Sequence, residues 1–587
     1  MDQYTNPNHP LYVPGTFNIY AQQHDLEQVY GGAADGSQLK RDSKSGTVLM
    51  PQPSDSPNDP LNWSQLRKFS HFALMTFITA FTAATSNDAG AAQDSLNEIY
   101  GISYDAMNTG AGVLFLAIGW GTLFLSPFPN LYGRKITYLV CLLLGLLGSV
   151  WFGSAKKTSD TIWSQLFVGA SESCAEAHVQ LSLTDIFFQH QLGAVLTGYI
   201  MATSIGTFLG PLIAGYISSG ESFRWVGWWA VIIYGASIAL FILTCEETYF
   251  DRSLYITPTN KTVTLDASKS SSSVPKDQSA IKETAYEQKM SEDGKDLKKI
   301  HKRTSDEDIL VDYQQDSSYP ELIDGSKETV NSYWKRMAII TPATNLKGYG
   351  IKQYINYLKF SLKMFAFPAV WISGLFWGWQ DVLLSFYLTI EEDNYYEEPW
   401  FYSDAAVAIM NVPTLIGAVL GCMYAGVISD HFVMWLSKRK GGIYEAEYRL
   451  WFSFAVAIIS PAGLLMFGIA TGRGFTDWRC AYVGLGFIGF GWGCAGDIAM
   501  AYLMDCYPEM VLEGMVCTAL INNNLACIFT FTCSLWIDAS GVENTFIALA
   551  VLTFFFSCTA CPMYIYGKKA RVWSKNLYLR CISERDT

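Results

Sequence analysis

The chain has 587 residues, 50% of them hydrophobic and only 16% charged, with a formal net charge of −13. This balance excludes a nucleic-acid binder, which needs a basic face. It also excludes an ordinary soluble domain, because the charges are segregated. No Lys or Arg falls between Lys68 and Arg134, Lys157 and Arg224, Lys363 and Lys438, or Arg479 and Lys568; such gaps read as helical hairpins in lipid.

In chain order, a polar tail over 1–65 comes first. It lacks a basic-then-apolar secretory signal, so the first span is expected to direct insertion. Six apolar segments, each about 20 residues long, follow within 66–252. They lie at 68–87, 107–128, 136–155, 161–185, 194–218 and 225–245. A second polar stretch, 253–360, is rich in Ser, Lys, Glu and Asp. It cannot build a core and is expected to be a largely disordered linker. Its last part, 347–360, reads as an interfacial helix. Six more segments occupy 361–570, at 365–389, 404–428, 450–470, 480–504, 513–536 and 544–566, and 571–587 is a short tail. The expectation is an all-α membrane protein with twelve spans in two six-helix halves. Duplicated halves around a long middle loop imply alternating access to a midplane site.

Basic residues set the orientation. Arg134 and Lys135 follow the second span, Lys438, Arg439, Lys440 and Arg449 the eighth, and Lys568, Lys569 and Arg571 the twelfth. All fall on one side with both termini, which is therefore assigned to the cytosol. The opposing Lys156, Lys157, Arg473 and Arg479 are fewer. The sequons at Asn62 and Asn260 are then cytosolic and expected to stay unglycosylated.

The outer loops are acidic. Asp88, Asp94, Glu98 and Asp105 precede the second span; Glu391, Glu392, Asp393, Glu397, Glu398 and Asp404 lie between the seventh and eighth. Neither loop holds a base. Plain solvation explains such charges; an acidic vestibule that concentrates cations also does, and the equivalent placement in both halves favours the vestibule.

Glu172 and Glu176 carry the strongest signal. They lie in an apolar helix without a nearby base, four residues apart and so on one face. Midplane acids cost about 2.5–3.5 kcal/mol each on insertion scales. A cationic substrate or a proton is the simplest reason to keep them. Asp497 follows Trp492-Gly-Cys-Ala-Gly in the tenth span, Asp381 follows Trp377-Gly-Trp379-Gln380 in the seventh, and Asp88 ends the first. Asn523 sits in a run of three asparagines midway along the eleventh. A flexible polyamine needs spaced acids and aromatic walls, so Glu172, Glu176, Asp497, Asp88, Asp381, Asn523, Trp377 and Trp492 form the candidate binding set. Internal bonding and helix packing are the competing roles for each. Asp185 and Asp505 end the fourth and tenth spans and read as caps or gates, together with Arg134 and Asp430. No nucleophile–base pair or metal-ligand spacing emerges, and the thirteen cysteines are read mostly as small apolar residues. Neither an enzyme nor a cofactor is expected.

Ser204-Ile-Gly206-Thr-Phe-Leu-Gly210-Pro211-Leu-Ile-Ala-Gly215 in the fifth span resembles the glycine–proline signature of fungal major facilitator superfamily transporters of the twelve-helix drug:proton antiporter-1 type. Small residues there let the helix pack closely, and Pro211 bends it. Asp59-Pro-Leu-Asn-Trp63, Phe223-Arg-Trp225 and Glu247-Thr-Tyr249 are similar to the same group. Three positions depart from it. Asn130 and Leu131 replace an acid and an Arg, and Gln165 replaces the Arg associated with proton coupling. Residues 86–105, Ser171-Glu-Ser-Cys-Ala-Glu176 and 496–508 resemble, more closely, a budding-yeast branch for polyamines and monovalent organic cations, associated with histidinol uptake. The resemblance implies a plasma-membrane importer of spermidine, spermine and putrescine, acting as a monomer, with protons as a possible second partner. The alternative is a drug or toxin:proton exporter of the same fold.

Overall fold

The computed structural model describes residues 12–18, 40, 49, 51–255 and 323–586. Long helices stand at each expected position. The first half comprises α1 (Gln65–Ser86), α2 (Tyr104–Leu125), α3 (Arg134–Gly153), α4, α5 (Gln189–Gly220) and α6 (Phe223–Thr244). The second comprises α7 (Pro368–Asn394), α8, α9 (Ser453–Gly472), α10 (Trp478–Cys506), α11 (Val511–Ser540) and α12 (Val542–Cys558), the last continued by a helix over Ala560–Asp586. By length and apolarity alone, nine helices among the described residues qualify as spans, or ten with the bent pair that ends in α7. α1 and α4 fall outside that count, their sequences being diluted by polar residues such as His71 in α1 and Gln165, Glu172 and Glu176 in α4.

Two helices contain a π turn. α4 runs Thr158–Ser173, widens over Cys174–His178 and resumes at Val179–Ile186. α8 runs Asn411–Met423, widens over Tyr424–Ile428 and resumes at Ser429–Arg439. Such turns misalign the backbone ladder and recur at functional positions. In α4 the Tyr199 hydroxyl donates to the Ala175 carbonyl inside the turn.

Small residues set the packing. A Cβ on Gly210 would meet the Ala84 carbonyl oxygen at 2.4 Å, so α5 lies directly on α1, which names the partner of the glycine–proline segment. A Cβ on Gly169 would meet the Leu114 carbonyl at 2.4 Å, pressing α4 on α2. The equivalent pair in the second half, α10 on α8, has the same device: a Cβ on Gly489 would meet the Thr414 carbonyl at 2.1 Å. The halves meet through α2 with α11 and α5 with α8.

Residues 12–18 and the helix Ala560–Asp586 lie at one end of the bundle, called here the terminal end; the opposite is the loop end. The last part of the expected linker is ordered. Residues 323–350 lie against the first half, where Lys135 donates to the Met337 carbonyl at 3.0 Å and Thr341 N–H to the Tyr132 carbonyl at 2.9 Å. The amphipathic helix Ile351–Leu362 follows, as expected near 347–360. Residues 256–322, with Asn260, lie outside the described residues. An unforeseen two-stranded antiparallel sheet pairs β1 (Thr16–Asn18) with β2 (Ile443–Glu445).

Candidate substrate site

Three carboxylates from both halves converge between α4 and α7. Glu176 lies within electrostatic range of Glu172 and Asp381, and Glu172 within range of Asp381. Among the described residues, no Lys or Arg appears among the electrostatic neighbours of the three. Glu172 is 8% exposed and Asp381 7%. Like charges in a low-dielectric interior repel strongly, so the cluster calls for cations or protons.

The supports of each acid are specific. The Trp492 indole N–H donates to Asp381 Oδ1 at 2.8 Å. Trp492 is held in turn by an edge-on contact with Phe208 of α5, ring centres 5.5 Å apart. The Ser86 hydroxyl lies beside Glu172 and the Asn522 amide beside Asp381. Glu176 Oε2 is buried without a hydrogen bond, as are both amide atoms of Asn522. Buried polar atoms left open in this way are normally met by water or a ligand. Below them, towards the terminal end, Gln180 Nε2 reaches the Glu176 carbonyl at 3.2 Å and the Met500 sulfur of α10 at 3.5 Å, closing a floor across the two halves.

A pocket opens at the loop end above this cluster. Its lining includes Ser86, Asn87, Asn108, Gln165, Ser385 and Thr530 from both halves. Ser86 links the pocket to Glu172. The two acidic loops meet around its mouth: Asp393 lies in the field of Asp105, Asp538 and Glu397, and Asp404 in that of Asp94. The nearby bases are engaged at the periphery. Arg473 pairs with Glu543 at 2.6 Å, and Arg224 donates to the Gly153 carbonyl at 3.0 Å.

The other sequence candidates separate. Asp497 is 4% exposed but faces α8 and α5. A Cβ on Gly426 would meet its Oδ2 at 2.7 Å and Thr197 Oγ1 at 2.4 Å. Its electrostatic neighbours are Arg449 and Asp430, not the cluster. Asp88 is half-buried beside the pocket-lining Asn87 and Ala89. Asn523 donates to the Ala519 carbonyl at 2.9 Å, and its Cβ abuts Gly119 of α2. Trp377 packs by Gly496, whose Cβ would meet its indole nitrogen at 3.6 Å.

The expected gating residues form matching clusters at the terminal end. Arg134 Nε pairs with Asp185 at 3.1 Å, and Thr248 donates to the same carboxylate at 3.3 Å. In the second half Arg449 bridges Asp505 at 2.5 Å and Asp430 at 2.6 Å. A Cβ on Gly193 of α5 would meet Asp430 Oδ2 at 3.0 Å, so this cluster touches the opposite half. Asp59 of the entry motif receives Arg252 at 3.1 Å, and Arg252 also donates to the Asp185 carbonyl at 2.9 Å.

Sequence reasoning did not single out Trp492 as the support of Asp381, nor the floor residue Gln180. The signal for Trp492 was present: a buried indole needs an acceptor.

Comparison with known proteins agrees with this architecture. The family model described as Major Facilitator Superfamily matches residues 72–531. Protein HOL1 of Saccharomyces cerevisiae is 63% identical over 596 residues, covering 100% of both chains. An uncharacterized MFS-type transporter, C1271.10c of Schizosaccharomyces pombe, is 48% identical, covering 98% of this chain and 95% of its own length. The probable drug/proton antiporter YHK8 of Saccharomyces cerevisiae is 21% identical over 88% of this chain. The chain belongs to the Major Facilitator Superfamily and is a multi-pass membrane transporter.

Proposed function

We propose that this transporter imports organic cations, chiefly polyamines, across the plasma membrane, with both termini in the cytosol. The observation that carries the reading is the cluster of Glu172, Glu176 and Asp381, contributed by both halves and without a basic partner. A polyamine ammonium supplies the missing countercharge, and acids on opposite halves let one flexible molecule bridge them. The acidic loop-end mouth raises cation concentration at the entrance. Resemblance of residues 86–105, 171–176 and 496–508 to the polyamine branch agrees with this substrate class.

In the cycle, the cation enters at the loop end and replaces water around Glu176 and Asp381. The halves then rock about the α2–α11 and α5–α8 contacts, and the terminal-end clusters part to release it. Membrane potential is sufficient drive, at about 2.3 kcal/mol per charge per 100 mV, so a trivalent polyamine gains about three times that. An exporter of the same fold fits less well, because Gln165 stands where drug:proton antiporters carry an Arg.

Uptake of labelled spermidine into proteoliposomes, with potential and proton gradient imposed separately, tests the proposal. Accumulation driven by an inside-negative potential alone is expected. Absence of spermidine uptake under either gradient would refute it, and strict dependence on an acidic interior would refute the uptake mode.

A further inference from the structure

Residues 12–18 belong to the N-terminal tail, yet they are seated entirely on the second half of the protein. Three kinds of contact hold them. β1 adds to β2 in register, Thr16 opposite Glu445 and Asn18 opposite Ile443. Arg571 donates to the Pro14 carbonyl and, at 3.0 Å, to Thr16 Oγ1. Lys575 stands over the Tyr12 ring at 5.2 Å. Arg571 is itself 1% exposed and paired with Glu447, which is 3% exposed. Such a buried pair needs every remaining donor satisfied, and the tail supplies two of the acceptors. Val13 and Thr16 are buried in this seat.

The seat adjoins the cluster that closes the terminal end. A Cβ on Gly15 would meet the Asp505 carbonyl oxygen at 2.1 Å, and Gly15 has φ +71°. Both the space and the backbone angle require glycine. From β2, the Tyr444 hydroxyl donates to Asp505 Oδ2 at 2.6 Å. Asp505 holds Arg449, Arg449 holds Asp430, and Asp430 lies against Gly193 of the opposite half. The tail thus buttresses, through β2 and Asp505, the ion cluster that touches α5.

We propose that residues 12–18 form a latch that stabilises the closed terminal end, so that its release favours opening on that side. The latch is a device of the chain itself. It depends on the family's alternating halves and not on the identity of the substrate.

The test uses the full-length protein in proteoliposomes, with two reporters. Asn18→Cys with Ile443→Cys reports docking, because directly opposed residues of an antiparallel pair sit about 4.5–5.5 Å apart, within disulfide range. In a separate protein, Gly193→Cys reports the gate through its rate of maleimide labelling from the terminal side, read by mass spectrometry at residue 193. The disulfide is expected to form in the otherwise natural chain and to be lost on adding Gly15→Val. Labelling of residue 193 is expected to rise about tenfold with Gly15→Val, a shift of one decade in the closed-to-open ratio. A chain lacking residues 1–18 should show the same rise, and it replaces Gly15→Val should that variant fail to fold. No disulfide in the natural background, or labelling unchanged in the chain lacking residues 1–18, overturns the proposal.

Discussion

The site is built from a few residues whose chemistry is constrained by burial. Asp381 is oriented by one strong donor, the Trp492 indole at 2.8 Å, and is 7% exposed. A hydrogen bond to an ionised group is worth about 1.5–3 kcal/mol. Trp492→Phe keeps an aromatic ring beside Phe208 but removes the N–H together with part of the buried indole. It is expected to weaken spermidine binding by about tenfold, alongside a stability loss of about 0.5–3 kcal/mol from the smaller ring. Titration of the purified variant checks this, and unchanged affinity would show that Asp381 does not depend on its donor. Glu172 and Glu176 were legible in the sequence because an ionisable pair in an apolar helix is costly wherever the helix sits. The choice between Asn522 and Asn523 was not. Consecutive helical residues point about 100° apart, and only the packing of α11 decides that Asn522 faces Asp381 and Asn523 faces α2. Asp497 shows the same limit: its sequence context announces a buried acid, but not that the acid faces α8.

At the scale of elements, close helix approach does the positioning. α5 carries Phe208, which supports Trp492, and it is set against α1 by Gly206 and Gly210. The Ala84 carbonyl leaves no room for a side chain at 210, and a backbone atom cannot rotate away. Overpacking of this kind costs about 1–3 kcal/mol even where side chains can adjust. Gly210→Val is therefore expected to reduce the yield of monodisperse protein and lower its melting temperature, while Gly220→Val, where a Cβ meets nothing within 4 Å, leaves both unchanged. Size-exclusion and thermal-melt profiles of the two variants side by side provide the check; equal profiles would contradict the assigned packing. Helix positions were readable from apolar run length, and the fifth helix's small-residue face from the resemblance of its glycine–proline segment. The π turns of α4 and α8 were not, since nothing in Cys174–His178 or Tyr424–Ile428 breaks the ordinary helical pattern.

For the whole molecule, charge is arranged along one axis. The loop end gathers acids from both halves around a pocket, the middle holds three more, and the terminal end pairs its acids with Arg134 and Arg449. The two-half plan and the acidic loops were visible as repeated sequence features, and Asp185, Asp505, Arg134 and Asp430 as candidate caps or gates, but their pairing and the role of Arg449 were not. The seating of residues 12–18 and 323–350 was not, because polar segments that dock by backbone pairing and single side chains leave no periodic signature. The central claim is that the convergent carboxylates bind the cation. Equilibrium binding of labelled spermidine to the purified protein tests it most directly, comparing the natural chain with Glu176→Gln, a substitution that keeps shape and removes charge. The account predicts binding weakened at least about tenfold, near 1.4 kcal/mol, with the melting temperature of the empty protein unchanged or raised. Equal affinity in the two proteins would contradict it.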